Sequence, residues 1–352
     1  MTYLRRLTGS RSTRILLALL SRSLVHPARA LLALICAAGL VAGFAAAAQA
    51  AVSTPRVTDG VASLNALRAR VGVLPVRADA EMTADCRSHA AYYALTGHIG
   101  HEEIPGDSGY TASGDRGARS SNLAYGQGAF TGAGDWTPAV YHRIAMLHPR
   151  LATSGYWAEN GIACLGVLGD VRGPSVSQLT AYPYPADGQQ GLPVSFGCNE
   201  RPDPCTVYPG ASAKKPIGSI LSLQFDGPAD DIDATTVTSA TLTADDADAP
   251  VVTTVQDSES GQIAPYLRGG TAVIPRRPLT PSTWYTARVT GTVASSDVET
   301  GVTEEPFDVT WRFQTAPVVL GVTAQSAAPR CSKTRKAKTR VSKRCKKAAK
   351  RR

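Results

Sequence analysis

The chain has 352 residues with 6% aromatics, 32 Gly and 23 Pro, a length that argues against one small domain and for about two or three. Its formal charge of +9 is unevenly placed: residues 1–50 hold six arginines and no acid, residues 330–352 hold thirteen Lys or Arg and no acid, and the stretch between carries a net −10. That distribution excludes a uniformly basic folded body. No His-Glu-x-x-His, Gly-x-Ser-x-Gly or Gly-x-x-x-x-Gly-Lys pattern occurs, so zincin protease, α/β-hydrolase and nucleotide-binding classes have no motif support.

From the N-terminus, the arginines run to Arg29, an apolar run covers residues 30–48, and Ala48-Gln49-Ala50 ends it in small residues. This reads as a signal peptide over residues 1–50, cut after Ala50. An uncleaved anchor is the alternative, because roughly 19 apolar residues can span a bilayer. Cys36 goes with this leader. Six cysteines remain, and proximity in the chain pairs Cys86 with Cys164, Cys198 with Cys205 and Cys331 with Cys345, bonds that would persist in an oxidising compartment. A zinc site is the competing reading, weakened by the absence of any Cys-x-x-Cys pair.

Val57, Val61, Leu64, Arg68 and Val71 recur at helical spacing and Gly72 follows, so residues 57–71 read as a first helix. Asp79 caps a second, with Cys86, His89, Ala90 and Tyr93 on one face and Gly97 at its end. Thr137-Pro138 opens a third, running through Tyr141 to His148 before Pro149. The intervening Gly-, Ser- and Asp-rich stretches read as loops. Short runs over residues 162–167 and 179–182, broken by glycines, then read as a small sheet, an α+β unit over residues 55–182.

Five of the six histidines fall between residues 89 and 148, beside Glu102, Glu103 and Trp136. Imidazoles and carboxylates gathered in one unit are where metal binding or proton transfer would lie. His89 shares a face with Cys86 and reads as a buried, hydrogen-bonded histidine, His98 as a solvated loop residue, and His148 as a helix-end residue favoured by the C-terminal dipole.

Several segments carry a resemblance in order. They are Leu64-Asn65-Ala66-Leu67-Arg68 with Val71-Gly72-Val73-Leu74-Pro75-Val76, His89-Ala90 with residues 97–101, Ser121-Asn122-Leu123-Ala124-Tyr125-Gly126, Trp136 with Tyr141-His142-Arg143, and Met146-Leu147-His148-Pro149-Arg150-Leu151 with Gly155. Together they resemble bacterial members of the CAP superfamily of cysteine-rich secretory, antigen 5 and pathogenesis-related proteins, which implies an α-β-α sandwich. Animal and plant relatives hold two histidines and two glutamates in a cleft that can bind a divalent cation. Carried over by position, His101 matches the first histidine, Ser121 replaces a glutamate, and His142 belongs to the bacterial His-Arg element. The resemblance therefore makes His101, Ser121 and His142 the cleft candidates and His101 with His142 the metal candidates, for zinc or calcium, with no cofactor certain. Glu102 or Glu103 would have to supply the missing carboxylate.

Residues 183–317 contain short alternating runs at Leu221-Ser222-Leu223-Gln224-Phe225, Ala272-Val273-Ile274, Tyr285-Thr286-Ala287-Arg288-Val289 and Trp311-Arg312-Phe313-Gln314-Thr315. They read as an all-β sandwich and resemble bacterial Ig-like domains. Asp245-Asp246-Ala247-Asp248 lacks the spacing of a calcium loop and reads as a solvated turn. Residues 318–352 form a basic tail, too polar to fold alone, whose partner outside the cell would be a wall or envelope polyanion; export makes nucleic acid a minor option.

The expectation is thus a secreted or envelope protein, not decided as an enzyme. A non-enzymatic binding module for a small apolar or envelope-derived ligand leads. An envelope hydrolase using His101 and His142, and an adhesive protein with a vestigial cleft, are the alternatives.

Overall fold

A computed structural model describes residues 59–126, 130 and 135–318. The leader with Cys36, the basic tail and the expected Cys331–Cys345 pair lie outside the described residues. All the described residues belong to one compact unit. Among them, no helix is long and apolar enough to cross a membrane.

Helix α1, Gly60–Arg70, begins where the Asp59 carboxylate accepts from the Ala62 amide at 2.9 Å, the side-chain cap that satisfies an otherwise orphaned donor. Its buried face carries Leu64 and Arg68, which the helical spacing places together, and Leu67. The Arg68 guanidinium donates to the carbonyls of Leu74 at 2.8 Å, Met146 at 2.7 Å and His148 at 3.1 Å, and burial lowers its pKa to about 9. An arginine among carbonyls that lack helical partners is well placed.

Strand β1, Arg77–Ala78, leads into α2, Ala80–Thr96, which has the expected Asp79 cap and a left-handed Gly97 at φ +70°. Cys86, His89 and Ala90 are buried as the periodicity implies, but the tyrosine in the core is Tyr92 rather than Tyr93. Tyr92 donates to Asp107 at 2.9 Å.

Helix α3, Ala112–Arg119, stands where the sequence reads as loop. The Thr111 hydroxyl accepts from the Gly114 amide at 2.8 Å, and Gly117 lets α3 approach α2 so closely that a Cβ there would lie 2.5 Å from the Asp85 carbonyl oxygen. Glycine weakens an isolated helix but permits this contact.

Strand β2, Ser121–Tyr125, precedes α4, Val140–Leu147, which starts after Pro138 rather than at it. Then come β3, Thr153–Ser154; β4, Tyr156–Glu159; and β5, Ile162–Gly166. The antiparallel order is β2-β5-β4, and the Cys86–Cys164 disulfide ties α2 to the central strand.

Beyond β5 lie β6, Thr180–Tyr184; β7, Ser195–Phe196; β8, Ile217–Gly218; β9, Leu221–Asp226; β10, Asp231–Ala244; β11, Thr253–Gln256; the single turn α5, Ala264–Leu267; β12, Thr271–Pro275; β13, Trp284–Asp297; and β14, Gly301–Gln314. Their principal sheets are antiparallel, in the orders β11-β12-β9-β6 and β10-β13-β14. They face one another through contacts such as Phe225 on Phe307, with ring centroids 4.7 Å apart, an arrangement compatible with a β-sandwich.

The run at residues 179–182 does not join the small sheet of the helical segment. It belongs to β6, which pairs with β9, where Ala181 stands opposite Phe225 and Pro183 opposite Leu223. Leu64, Leu67, Met146 and Leu165 share one buried cluster with Leu221, Leu223, Trp311 and Phe313. Arg143 on α4 donates to the Ile220 carbonyl at 2.9 Å, and Arg150 pairs with Asp226 at 2.7 Å. Apolar packing and buried guanidinium bonds therefore both join the helical segment to β9.

Candidate functional site

His101 lies in the loop between α2 and α3, where its Nδ1 is 3.0 Å from the Ala118 carbonyl oxygen. A carbonyl can only accept, so Nδ1 carries a proton and donates to it. His142 lies in the first turn of α4 with Nδ1 2.7 Å from Glu200 Oε1. A carboxylate partner likewise accepts, so Nδ1 of His142 is the donor to Glu200. Both histidines line a cavity of about 570 Å³, with Leu123, Tyr125, Trp136 and Ala139 among its walls.

Glu200 was not among the candidates read from the sequence, yet it organises this site. Its Oε1 accepts from the amides of Tyr141 at 2.8 Å and His142 at 2.9 Å as well as from the His142 ring. It thus caps α4 from a distant loop, which explains how the helix starts after Ala139, an N-cap residue with no side-chain cap of its own. Glu200 is 1% exposed, and its Oε2 has no protein partner among the described residues. The Cys198–Cys205 disulfide closes the loop that carries it. No local spacing signals this role; the only hint is a carboxylate inside a short cysteine loop.

Ser121 opens β2 and is buried, with its Oγ 3.5 Å from Cys86 Sγ. Asn122 donates to the His142 carbonyl at 2.9 Å and so fixes β2 against α4. Trp136 donates its ring N–H to the Leu123 carbonyl at 3.2 Å and presents a largely buried wall.

The two adjacent glutamates point elsewhere. Glu102 is exposed, 3.6 Å from Arg119. Glu103 is buried, 3.2 Å from His89 Nδ1, and accepts from the Thr111 amide at 2.9 Å. Burial lowers the His89 pKa to about 4 and raises that of Glu103. His89 is therefore neutral and donates to Glu103, a structural pair under α3. The compensation required of Glu102 or Glu103 is not supplied, because one is paired at the surface and the other with His89.

His148 departs from its expected role. Burial, then nearby Arg268, Arg68 and Arg150, lowers its pKa to about 3. It is neutral, so a dipole-stabilised cation is the wrong description. His98 is half-buried rather than freely solvated, edge-on to Tyr92 at 6.2 Å.

The donors do not fit the four-ligand set implied by the resemblance. Two imidazole Nε2 atoms remain, Ser121 stands for one glutamate, and the Glu200 oxygen facing His142 already accepts three N–H groups. Among the described residues, Cys198, Asp203 and Cys205 come together as metal-ligating types. Those cysteines are joined in a disulfide, and Asp203 accepts from the Cys205 amide, so no thiolate ligand is present there.

A search of curated proteins finds no match for the chain. Residues 61–161, from α1 to the turn before β5, match the family model of the cysteine-rich secretory protein family, CAP, and the matched segment supplies His101, Ser121 and His142 but not Glu200.

Proposed function

We propose that the protein is a secreted or envelope-associated binding module whose CAP cleft takes a small apolar or envelope-derived ligand without converting it. The observation that carries this reading is the cavity of about 570 Å³, whose apolar wall of Leu123, Trp136, Ala139 and Tyr125 carries polar groups from His101, His142, Asp135, Asn199, Glu200 and Arg201. Such a combination of apolar wall and polar groups suits small-ligand recognition. The replacement of a cleft glutamate by Ser121, uncompensated by Glu102 or Glu103, argues against metal-assisted catalysis. The disulfides fit an oxidising extracellular environment. In this reading the β-rich segment is an Ig-like support, and the basic tail retains the protein on an envelope polyanion.

A second reading rests on one contact. His142 held by the buried Glu200 is arranged as an oriented general base, which would serve an envelope hydrolase.

Titration of the mature protein with the neutral fluorescent probe N-phenyl-1-naphthylamine tests the first reading. Saturable binding is expected, weakened about tenfold by Tyr125→Ala at the exposed rim, as loss of a large aromatic contact predicts. Absence of saturable binding to the wild type would overturn it. Turnover of envelope polymer, abolished by His142→Gln, would replace it with the hydrolase.

A further inference from the structure

The groove continues past the two histidines. A second lobe of about 380 Å³ shares His101, His142 and Arg201 with the apolar cavity and adds Arg119, Tyr266 and Arg268. The two lobes differ in chemistry. One is walled by Leu123, Trp136 and Ala139; the other gathers three guanidinium groups, from α3, the Cys198–Cys205 loop and the turn after α5.

These arginines are not equally occupied. Arg119 is paired with Asp115 at 2.8 Å and with Glu102 at 3.6 Å. Arg201 donates to the Glu200 carbonyl at 2.7 Å and lies 3.8 Å from Asp203, with its side chain 79% exposed. Arg268 reaches only the Val167 carbonyl, at 3.5 Å, and forms no ion pair among the described residues. It is nevertheless partly buried, and that desolvation lowers its pKa. Its backbone is left-handed at φ +50°, a conformation costly for a residue with a side chain unless something fixes it. A cation held out of water without a protein anion leaves an electrostatic cost that an incoming anion would offset, and a guanidinium fork matches carboxylate and phosphate oxygens best.

We propose that the lobe formed by Arg268, Arg201 and Arg119 is an oxyanion subsite, which receives the carboxylate or phosphate of an amphiphilic ligand whose apolar body lies against Trp136 and Leu123. The proposal rests on the binding reading above and specifies its ligand class. Two of the three arginines, Arg201 and Arg268, lie outside the matched segment, so the subsite depends on how the β-rich part packs against it.

The test is calorimetric titration of the mature protein with three probes of equal chain length, laurate, lauryl phosphate and lauryl alcohol, kept below micelle-forming concentrations, with inorganic phosphate as a fourth. Laurate or lauryl phosphate is expected to bind at least about tenfold tighter than the alcohol. Arg268→Gln should bring the anions to the alcohol's affinity, and Arg268→Lys should keep part of the preference. Arg201→Gln, at an exposed side chain that does not endanger folding, should cost the anions about threefold. A carboxylate preference assigns an acyl acid and a phosphate preference a phosphorylated lipid; tight inorganic phosphate would make the anion alone sufficient and overturn the amphiphile. Equal affinity for the three lauryl probes, or an anion preference unchanged in both glutamine variants, would overturn the subsite while leaving the apolar cleft standing. Failure of all the lauryl probes would remove the binding reading itself.

Discussion

Between α1 and β5, single buried tethers join residues far apart in the chain, whereas the ribbon β10-β13-β14 repeats one kind of contact along strands of 14 residues each. In the helical segment Arg68 bonds the far end of α4, Glu103 bonds His89, and a disulfide bridges 78 residues. In the ribbon the β13–β14 register runs unbroken from Trp284↔Gln314 to Asp297↔Gly301, and the turn is closed by Asp297 accepting from Glu299 and Thr300. One lost tether should therefore be costly in the first region, and one lost surface contact nearly silent in the second.

The largest effect is expected from the disulfides. Replacing Cys86 and Cys164 together by Ser should cost about 4.5 kcal/mol on a loop-entropy estimate, against about 2.4 kcal/mol for Cys198 and Cys205, whose separation is only 7 residues. Urea midpoints of the two double variants check the order. An equal loss from both would mean that native packing, not loop length, sets the effect.

A smaller effect concerns acid. Unfolded His148 titrates near 6.5 and folded His148 near 3. Below pH 6.5 the unfolded chain takes up a proton that the folded one refuses, so stability falls as pH falls through that window. By pH 5 the loss from this group is about 2 kcal/mol relative to pH 7. His148→Gln should flatten that part of the stability profile measured by urea unfolding; an unchanged slope would place the acid sensitivity elsewhere.

The smallest effect belongs to the ribbon. Arg288 and Asp308 pair at 2.6 Å with both side chains more than half exposed, so Arg288→Ala should cost only about 0.2–1 kcal/mol and lose even that in high salt. A loss above about 2 kcal/mol would show that the ribbon depends on tethers as the helical segment does.

Legibility followed the range of each contact. The Asp79 cap, the Gly97 stop and the strand at residues 221–225 were visible because each is decided by neighbours in the chain. Helix α3 was not, since Gly114 and Gly117 lower its intrinsic propensity and only the surface of α2 gives them a use. Strand β10 was missed because Thr, Ser and Ala supply little apolar alternation over residues 231–244, and its pairing with β13 makes up the difference. The resemblance placed His101 and His142 at one cleft, and both line it. It could not supply Glu200, which comes from outside the matched segment.

By itself, the sequence pointed to the α+β character, to the Cys86–Cys164 and Cys198–Cys205 pairings suggested by proximity, and to the segment that matches the CAP family model. Only tertiary structure decided that Glu103 serves His89, that Glu200 caps α4 and holds His142, and that Arg268 enters the groove without an anionic partner among the described residues. Periodicity and capping report which face of an element turns inward; which distant charged group meets that face is set by packing, where burial makes partner choice decisive.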